Sequence, residues 1–477
     1  MSERIKIRAL GSEAQGIGSL FSGKPVFVDG LLVGEEAEIE VISEKSHIAT
    51  GKAIERFCDS PDRTNPVCPH YEACGGCSCM HMNYEAQAKF KENKVREVLS
   101  RIGRFDSDAI DKVFNPIVAA ERIYGYRNHI QYSIGGMDVG FRARDSHEII
   151  EIDKCCLEYE CFRLIREIIR DTLHDFPTDL FSTLIVRGSE KTSEYLVELV
   201  VETSQPHELV IRDTKRFGEV NRLVERISES LANKGGQLMG IVLQICSDQK
   251  SKRYRTGKRV VINGVDYYHE KLLNRTFRIK AGAFFQVNTE QAEMLYSIVK
   301  NYVGDAKVIY DLFCGTGSIG LCAVSESQKL FGIEVSPEAV ASAKINAELS
   351  GVKNASFVVK QAERFDFDSA KIDKADTVIV DPPRKGLDVA LVSKLLKMTP
   401  DRIVYVSCDP ATLARDLKML TDKYEIKAVT PVDLFPNSEH VETVCLLSKL
   451  NVDEHIYVDL EMSELDITSA EKKAWNN

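Results

Sequence analysis

The sequence predicts an α/β protein built from three successive parts: a small all-β barrel, a mixed α+β middle and a doubly wound, mostly parallel sheet. Three observations carry this reading. The first 58 residues break into short alternating runs split by glycines, a cysteine-rich string follows at 68–79, and from about residue 286 apolar strands alternate with helix-like stretches. At 477 residues, with 44% hydrophobic and 28% charged side chains, the chain is long enough for several cores. The expected divisions are 1–58, 59–285, 286–451 and a tail at 452–477.

In the first part, IKIRAL (5–10), PVFVDG (25–30), EAEIEVIS (36–43) and IATGKAIERF (48–57) read as strands of a five-stranded barrel. Gly11, Gly16, Gly18, Gly23 and Gly34 read as its turns. The GIGSL turn, VFVDGLLVGE and the EIEV strand resemble the TRAM domain, an OB-like module appended to RNA-modifying enzymes. Seven Lys or Arg stand against nine Asp or Glu here, so an RNA-binding role is implied by the resemblance and not by charge.

The next segment holds Cys68, Cys74 and Cys77 in CPHYEACGGCSCMH, a C-x5-C-x2-C spacing. Three thiolates so close can surround one inorganic centre, and a fourth ligand must come from elsewhere; Cys155 and Cys156 in EIDKCCLEYE are the candidates. Spacing alone leaves a [4Fe-4S] cluster and a four-cysteine zinc site both open, with Cys79 as a spare thiol. Thirteen cysteines is an odd number, and the N-terminus has no apolar leader, so free thiols in a reducing, cytoplasmic setting are expected in place of disulfides. No apolar run approaches the roughly 18 residues of a membrane span.

A net charge of −10 excludes little, because nucleic-acid binding depends on a local basic face. One such run exists: DQKSKRYRTGKR (248–259) sets six basic residues and Tyr254 against one acid. It reads as a loop tracking phosphates with an aromatic for stacking, or as a solvated hairpin tip. Residues 83–103 are charged with helical apolar spacing and read as a surface helix; Arg127 in YGYRNH is an RNA contact or a packed, ion-paired arginine.

From 286 onward, VIYDLF (308–313), KLFGIEV (329–335), SFVVK (356–360), TVIVDPP (377–383), RIVYVSC (402–408) and VETVCLLSKL (441–450) are predicted strands. ASAKINAELSG and VALVSKLLKM are intervening helices. Ligands of such sheets lie beyond the carboxyl ends of the strands. There the chain places the turn Gly315–Gly320, then Glu334, spaced to accept hydrogen bonds from ribose hydroxyls, then Asp381-Pro382-Pro383-Arg384 and Cys408. NAD and S-adenosylmethionine share that ribose. A cysteine at the same edge, without a second nucleotide-binding half, favours methyl transfer over hydride transfer.

FFQVN (284–288), DLFCGTGSIG, DPPRKG (381–386), SCDPATLARD (407–416) and HVETV (440–444) stand in the order and spacing of the RNA uracil-5-methyltransferases. The resemblance covers nearly the whole chain. With the TRAM-like segment and the cysteines in front, it is to the ribosomal-RNA branch, which implies 23S rRNA as partner, against the alternatives of a transfer-RNA T-loop enzyme or a non-catalytic iron-sulfur RNA-binding protein. It implies that the Cys408 thiolate adds to carbon 6 of uracil and that Glu442 later removes the carbon-5 proton. It assigns S-adenosylmethionine to Gln286, Phe313, Glu334 and Asp381 with Gln361 as a fifth contact, around Gly315 and Gly317. It favours a [4Fe-4S] cluster on Cys68, Cys74, Cys77 and Cys155. Carbon 5 is a poor nucleophile until a soft thiolate adds at carbon 6, which explains why cysteine and carboxylate occur together. The base must leave its stack, so single-stranded or unfolded RNA is the expected substrate, and a monomer is expected. Cys314, Cys322 and Cys445 read as packed residues. Asp409 stands where many relatives have Asn, and its charge would raise the thiol's pKa unless a neighbour such as Arg415 offsets it.

Overall fold

A computed structural model describes residues 2–144, 146–176, 180–203, 219–246, 257–368 and 372–450. Most of the basic run at 248–259, Tyr254 included, lies outside the described residues, as does the 452–477 tail.

The barrel is a six-stranded sheet. Its spatial order is Ser2–Lys6, Glu36–Glu44, Ala49–Cys58, Pro25–Val28, Gly16–Ser19 and Ala9–Leu10. GIGSL is thus a strand and not the expected turn. A Cβ on Gly16 would lie 2.8 Å from the Leu31 carbonyl oxygen, and one on Gly18 2.8 Å from Ile5 Cδ1. Both glycines serve close packing over the Ile5, Val26, Val28 and Ile39 core, whereas Gly23 and Gly34, at φ +81° and +91°, are the turn glycines.

The middle of the chain forms a second sheet, ordered Lys258–Gly264, Gln237–Cys246, Glu194–Glu202, Thr183–Ser189, His129–Gly135, Asp138–Arg142 and Ile149–Glu151. Helices Glu160–Thr172 and Glu219–Ala232 cover it, burying Phe162, Ile165, Ile227 and Leu231 against Leu184, Val186, Val197 and Leu243.

The third sheet is the predicted doubly wound one. Its order is Ala355–Val359, Lys329–Glu334, Val308–Leu312, Thr377–Val380, Arg402–Ser407, Glu442–Lys449 and Tyr424–Val432. The first five are parallel and the last two antiparallel additions. Strand order reverses between Val308–Leu312 and Thr377–Val380, which opens a crevice at their carboxyl ends.

Both faces of this sheet are covered partly by residues from far upstream. Helix Tyr84–Arg101, capped by Asn83 Oδ1 on the Ala86 N–H at 2.9 Å, is not a surface helix. Its Val95 and Leu99, with Ile110 and Phe114, join the core around Tyr310, Val378, Tyr405 and Leu417. Its charged look reflects a solvated face together with Lys91, which is buried in an ion pair with Asp433. On the other side, the hairpin Tyr267–Leu272/Arg275–Lys280 buries Tyr268, Leu272, Phe277 and Ile279.

The cysteine segment joins the three parts. Arg63 binds the fully buried Glu35 of the barrel and donates to the Gly30 carbonyl at 2.6 Å. Cys74 pairs as an antiparallel bridge with Ala143, and the Arg144 N–H donates to the Ala73 carbonyl at 2.9 Å. Among the described residues, no helix is long and apolar enough to cross a membrane.

Candidate active site

The strand Val308–Leu312 ends in a turn held in left-handed backbone geometry at Phe313 (φ +69°), Gly315 (+55°) and Gly317 (+81°). A non-glycine residue there stores strain of the kind that clusters at ligand sites. No atom lies within 4 Å of where a Gly315 Cβ would stand, so that position faces open space, while a Cβ on Gly317 would crowd Leu321 at 3.1 Å and Ala343 at 3.3 Å. Glu334 ties the turn to the next helix: its two carboxylate oxygens accept from the Gly315 N–H at 3.1 Å and the Ser336 N–H at 2.9 Å. Lone pairs remain on both oxygens for ribose hydroxyls. Gln361 is exposed beside it at the end of the neighbouring strand, where the Lys360 N–H donates to the Glu334 carbonyl.

One acid at this edge was missed from the sequence. Asp311 is buried beneath the turn; Oδ2 accepts from the Gly320 N–H at 3.0 Å, and Oδ1 has no hydrogen-bond partner among the described residues. Burial, then the charge of Asp381, push its carboxyl up to about 8. Burial alone raises Asp381 to about 7. The only signal was a lone acid inside the apolar run VIYDLF. Burial without a cationic partner holds Asp311 and Asp381 towards their neutral forms, and a ligand bearing a cationic sulfonium and ammonium, as S-adenosylmethionine does, would favour their charged forms and so fits these carboxylates and Glu334.

The reactive pair is positioned by strand register. Ser407 lies opposite Thr443 in the antiparallel pair Arg402–Ser407/Glu442–Lys449, so Cys408 and Glu442 follow at the next step on the same sheet edge. Beyond Ser407 the chain turns into helix Pro410–Leu420. Ser407 Oγ accepts from the Asp409 N–H at 3.2 Å and donates to the Asp409 carbonyl at 2.9 Å, fixing the turn around Cys408. Asp409 is the helix N-cap, its Oδ1 accepting from the Ala411 and Thr412 N–H groups at 2.9 and 3.0 Å. That carboxylate is taken up at the helix end, and the leading charges raising the thiol are those of Glu442 and Asp381. Arg415 is not the balancing cation either, since its guanidinium holds Asp416 and the Lys385 carbonyl.

The Cys408 thiol is pushed up to about 11 by burial, then by Glu442 and Asp381, with Arg384 pulling it down. Glu442 is 4% exposed, and burial, then Asp381, lift its carboxyl to about 8 against the opposing pull of Arg384. A carboxyl near neutrality is suited to taking and releasing a proton.

Gln286 is buried on the loop entering helix Thr289–Val303; its carbonyl accepts from Asn128 Nδ2 at 2.8 Å. Arg127 pairs by its backbone with Glu158 and Asn288, and its side chain lines the cysteine cavity. Arg259, the last residue of the basic run, is structural: it binds Glu198 at 3.2 Å and Gln244 at 3.2 Å. Cys314, Cys322 and Cys445 are buried in the sheet's two cores, as expected.

Cys68, Cys74, Cys77, Cys155 and Cys156 all line one cavity of about 480 Å³. Cys156 is within hydrogen-bonding reach of Cys68, and Cys155 is held near 12 mainly by burial. Among the described residues, no three His, Cys, Asp or Glu side chains are drawn close enough to hold a single metal ion. The expected ligands thus share one void without forming a one-ion cage.

Comparison with known proteins agrees with this architecture. Residues 2–54 match the TRAM domain and residues 252–450 match the tRNA (Uracil-5-)-methyltransferase family. An uncharacterized RNA methyltransferase of Clostridium tetani is 34% identical over 453 residues, covering 93% of this chain and 95% of that protein. One of Halalkalibacterium halodurans is 32% identical over 465 residues, covering 94% and 97%. Among solved structures, the Pyrococcus abyssi tRNA (uracil-54, C5)-methyltransferase in complex with S-adenosyl-L-homocysteine superposes with a TM-score of 0.73 at 26% identity, covering 93% of this chain and 99% of that one. A TRAM barrel followed by a methyltransferase sheet with thiol and carboxylate at one edge makes this chain a member of the RNA uracil-5-methyltransferase family.

Proposed function

We propose that the protein methylates carbon 5 of a uridine in ribosomal RNA, 23S rRNA in particular, with Cys408 as nucleophile and Glu442 as base. The observation that carries this is the Ser407–Thr443 register, which brings Cys408 and Glu442 to one sheet edge, where Glu442 and Asp381 both act on the thiol. S-adenosylmethionine supplies an electrophilic methyl group on a sulfonium. Phe313, Gly315, Gly317, Glu334, Asp381, Gln286 and Gln361 are the residues to hold it. Its positive charge would also offset the carboxylates that now keep the thiol protonated. Cys408 releases its proton to solvent and its thiolate adds to carbon 6; the displaced electron pair lets carbon 5 bond the methyl group as the methyl–sulfur bond breaks. After methylation Glu442 takes the carbon-5 proton, and the Cys408–carbon 6 bond breaks to restore aromatic planarity.

The ribosomal branch is favoured by the TRAM segment combined with the cysteine set. The transfer-RNA reading has its own support in the Pyrococcus abyssi enzyme. We also infer that the cysteine cavity holds a [4Fe-4S] cluster on Cys68, Cys74, Cys77 and Cys155, the set the family resemblance implies, with a four-cysteine zinc site as the alternative; that these thiols line one cavity supports an inorganic centre there. The deciding experiment incubates the protein with labelled methyl donor and RNA from cells lacking it, then maps the label. Label in 23S rRNA as 5-methyluridine is expected. Label only in the T-loop of transfer RNA would overturn the branch, and 5-methylcytidine would overturn the target base.

A further inference from the structure

The loop Asp433–His440 runs directly into Val441 and Glu442, and residues more than three hundred positions upstream hold it at nearly every step. Lys91 and Asp433 form a fully buried ion pair at 2.6 Å, and Lys91 Nζ also donates to the Phe435 carbonyl at 2.9 Å. The Tyr84 hydroxyl donates to Asp433 Oδ2 at 2.9 Å and the Tyr126 hydroxyl to the Pro436 carbonyl at 2.9 Å. At the tip, Asn437 is left-handed at φ +68°. Its carbonyl accepts from the N–H groups of both Ser78 and Cys79 at 3.1 Å, and its own N–H donates to Gln87 Oε1 at 2.9 Å. Glu439 is bound reciprocally: the Ser78 hydroxyl donates to Glu439 Oε2, and the Glu439 N–H donates to Ser78 Oγ at 3.0 Å. Lys94 Nζ donates to the Glu439 carbonyl at 3.0 Å.

Two features single out Ser78. It directly follows Cys77, one of the thiols lining the cavity, and its partner Glu439 is three residues before Glu442. Cys408 lies on a different strand and is fixed by its own turn. A disturbance at Ser78 therefore reaches the base and leaves the nucleophile in place. We propose that Ser78 is a positioning residue for Glu442, coupling the conformation of the cysteine segment to the proton-removal step through its paired hydrogen bonds with Glu439. The inference rests on the assignment of Glu442 as base.

The consequence is selective. With the base displaced, addition of Cys408 and methylation proceed, proton removal slows, and the covalent protein–RNA species persists. In Ser78→Ala, kcat falls roughly 10- to 100-fold, the scale of a misplacement of about 1 Å. The KM for RNA stays unchanged, and a covalent protein–RNA band accumulates on a denaturing gel. Ser78→Thr, which keeps the hydroxyl, restores turnover. Glu439→Ala, on the far side of the same bonds and outside the lining of the cysteine cavity, reproduces the defect, and the double variant is no worse than either single one. Wild-type kcat in Ser78→Ala, no adduct in a slowed Ser78→Ala, or additive losses in the double variant would each overturn the proposal. A wild-type protein that methylates RNA without ever forming the adduct would instead overturn the mechanism on which it rests.

Discussion

The methyltransferase sheet edge and the cysteine segment both gather reactive side chains from distant parts of the sequence, by different physical means. At the sheet edge, backbone ladders do the positioning: once Ser407 opposes Thr443, Cys408 and Glu442 are brought to the same end of neighbouring strands. In the cysteine segment the thiols sit on loops around a cavity of about 480 Å³, and their mutual placement depends on bridges such as Cys74–Ala143 and on whatever fills the void. The first region is preorganised by its own backbone. The second gathers its thiols on loops, with no continuous backbone ladder to fix their mutual geometry.

That contrast breaks or holds on measurable effects. The largest is expected at the sheet edge: Cys408→Ala should lower methyl transfer by about 10⁴-fold or more while S-adenosylhomocysteine affinity, read by calorimetry, stays put. Retained activity would remove the nucleophile from the scheme. Glu442→Gln should cost about 10²- to 10⁴-fold and leave a covalent RNA adduct on a denaturing gel, because addition survives and release does not.

The raised carboxyl of Glu442 also has a sign in pH. Its folded pKa of about 8 exceeds that of the unfolded chain, so the folded state binds more protons between about pH 4.5 and 8. Its contribution to stability is complete below that window and is lost as pH rises through it. Asp311 and Asp381 act in the same direction. Denaturant melts from pH 5 to 8 should therefore show falling stability, with a shallower fall in Glu442→Gln; equal slopes would contradict the burial argument. Activity should move the other way, with kcat/KM rising as the free base ionises towards pH 8.

In the cysteine segment, Cys77→Ser should abolish bound iron and sulfide and lower the thermal midpoint, with no change in S-adenosylhomocysteine affinity. Wild-type protein purified without air and lacking iron would end the cluster assignment. The smallest effect is expected at the cofactor turn. Gly315→Ala meets no neighbouring atom yet must hold φ +55°, a strain of about 1–2 kcal/mol, read as roughly 5- to 30-fold weaker S-adenosylhomocysteine binding.

Much of the architecture was legible because it is written in short-range pattern. Apolar runs ending in Gly, Asp or Cys located six strands of the methyltransferase sheet within a residue or so at most ends, and the motif order located Cys408 and Glu442. The strand Tyr424–Val432 escaped because YEIKAVTPV carries alternating charges and Pro431, tolerable only at an edge. Gly16 and Gly18 were mistaken for turn residues because a glycine required by a neighbour's carbonyl looks, in one dimension, like a glycine required by φ. Helix Tyr84–Arg101 looked exposed because its partner strands lie more than two hundred residues away. Asp409 and Arg415 were paired in expectation by proximity along the chain, whereas capping geometry turned one to the helix end and the other to Asp416.

By itself the sequence determined the three-part organisation and the doubly wound sheet, and it named the thiol and acid as candidates, since hydrophobic period and motif order are local properties that survive without coordinates. Only the tertiary structure decided how those parts bear on one another: that Asp311 lies unmatched beneath the cofactor turn, that Arg384 and not Arg415 is the cation acting on the thiol, and that the loop leading to Glu442 is held by Ser78, Lys91 and Tyr126. Each is a contact between residues far apart in the chain, and such contacts are fixed by packing and desolvation, which no local pattern encodes.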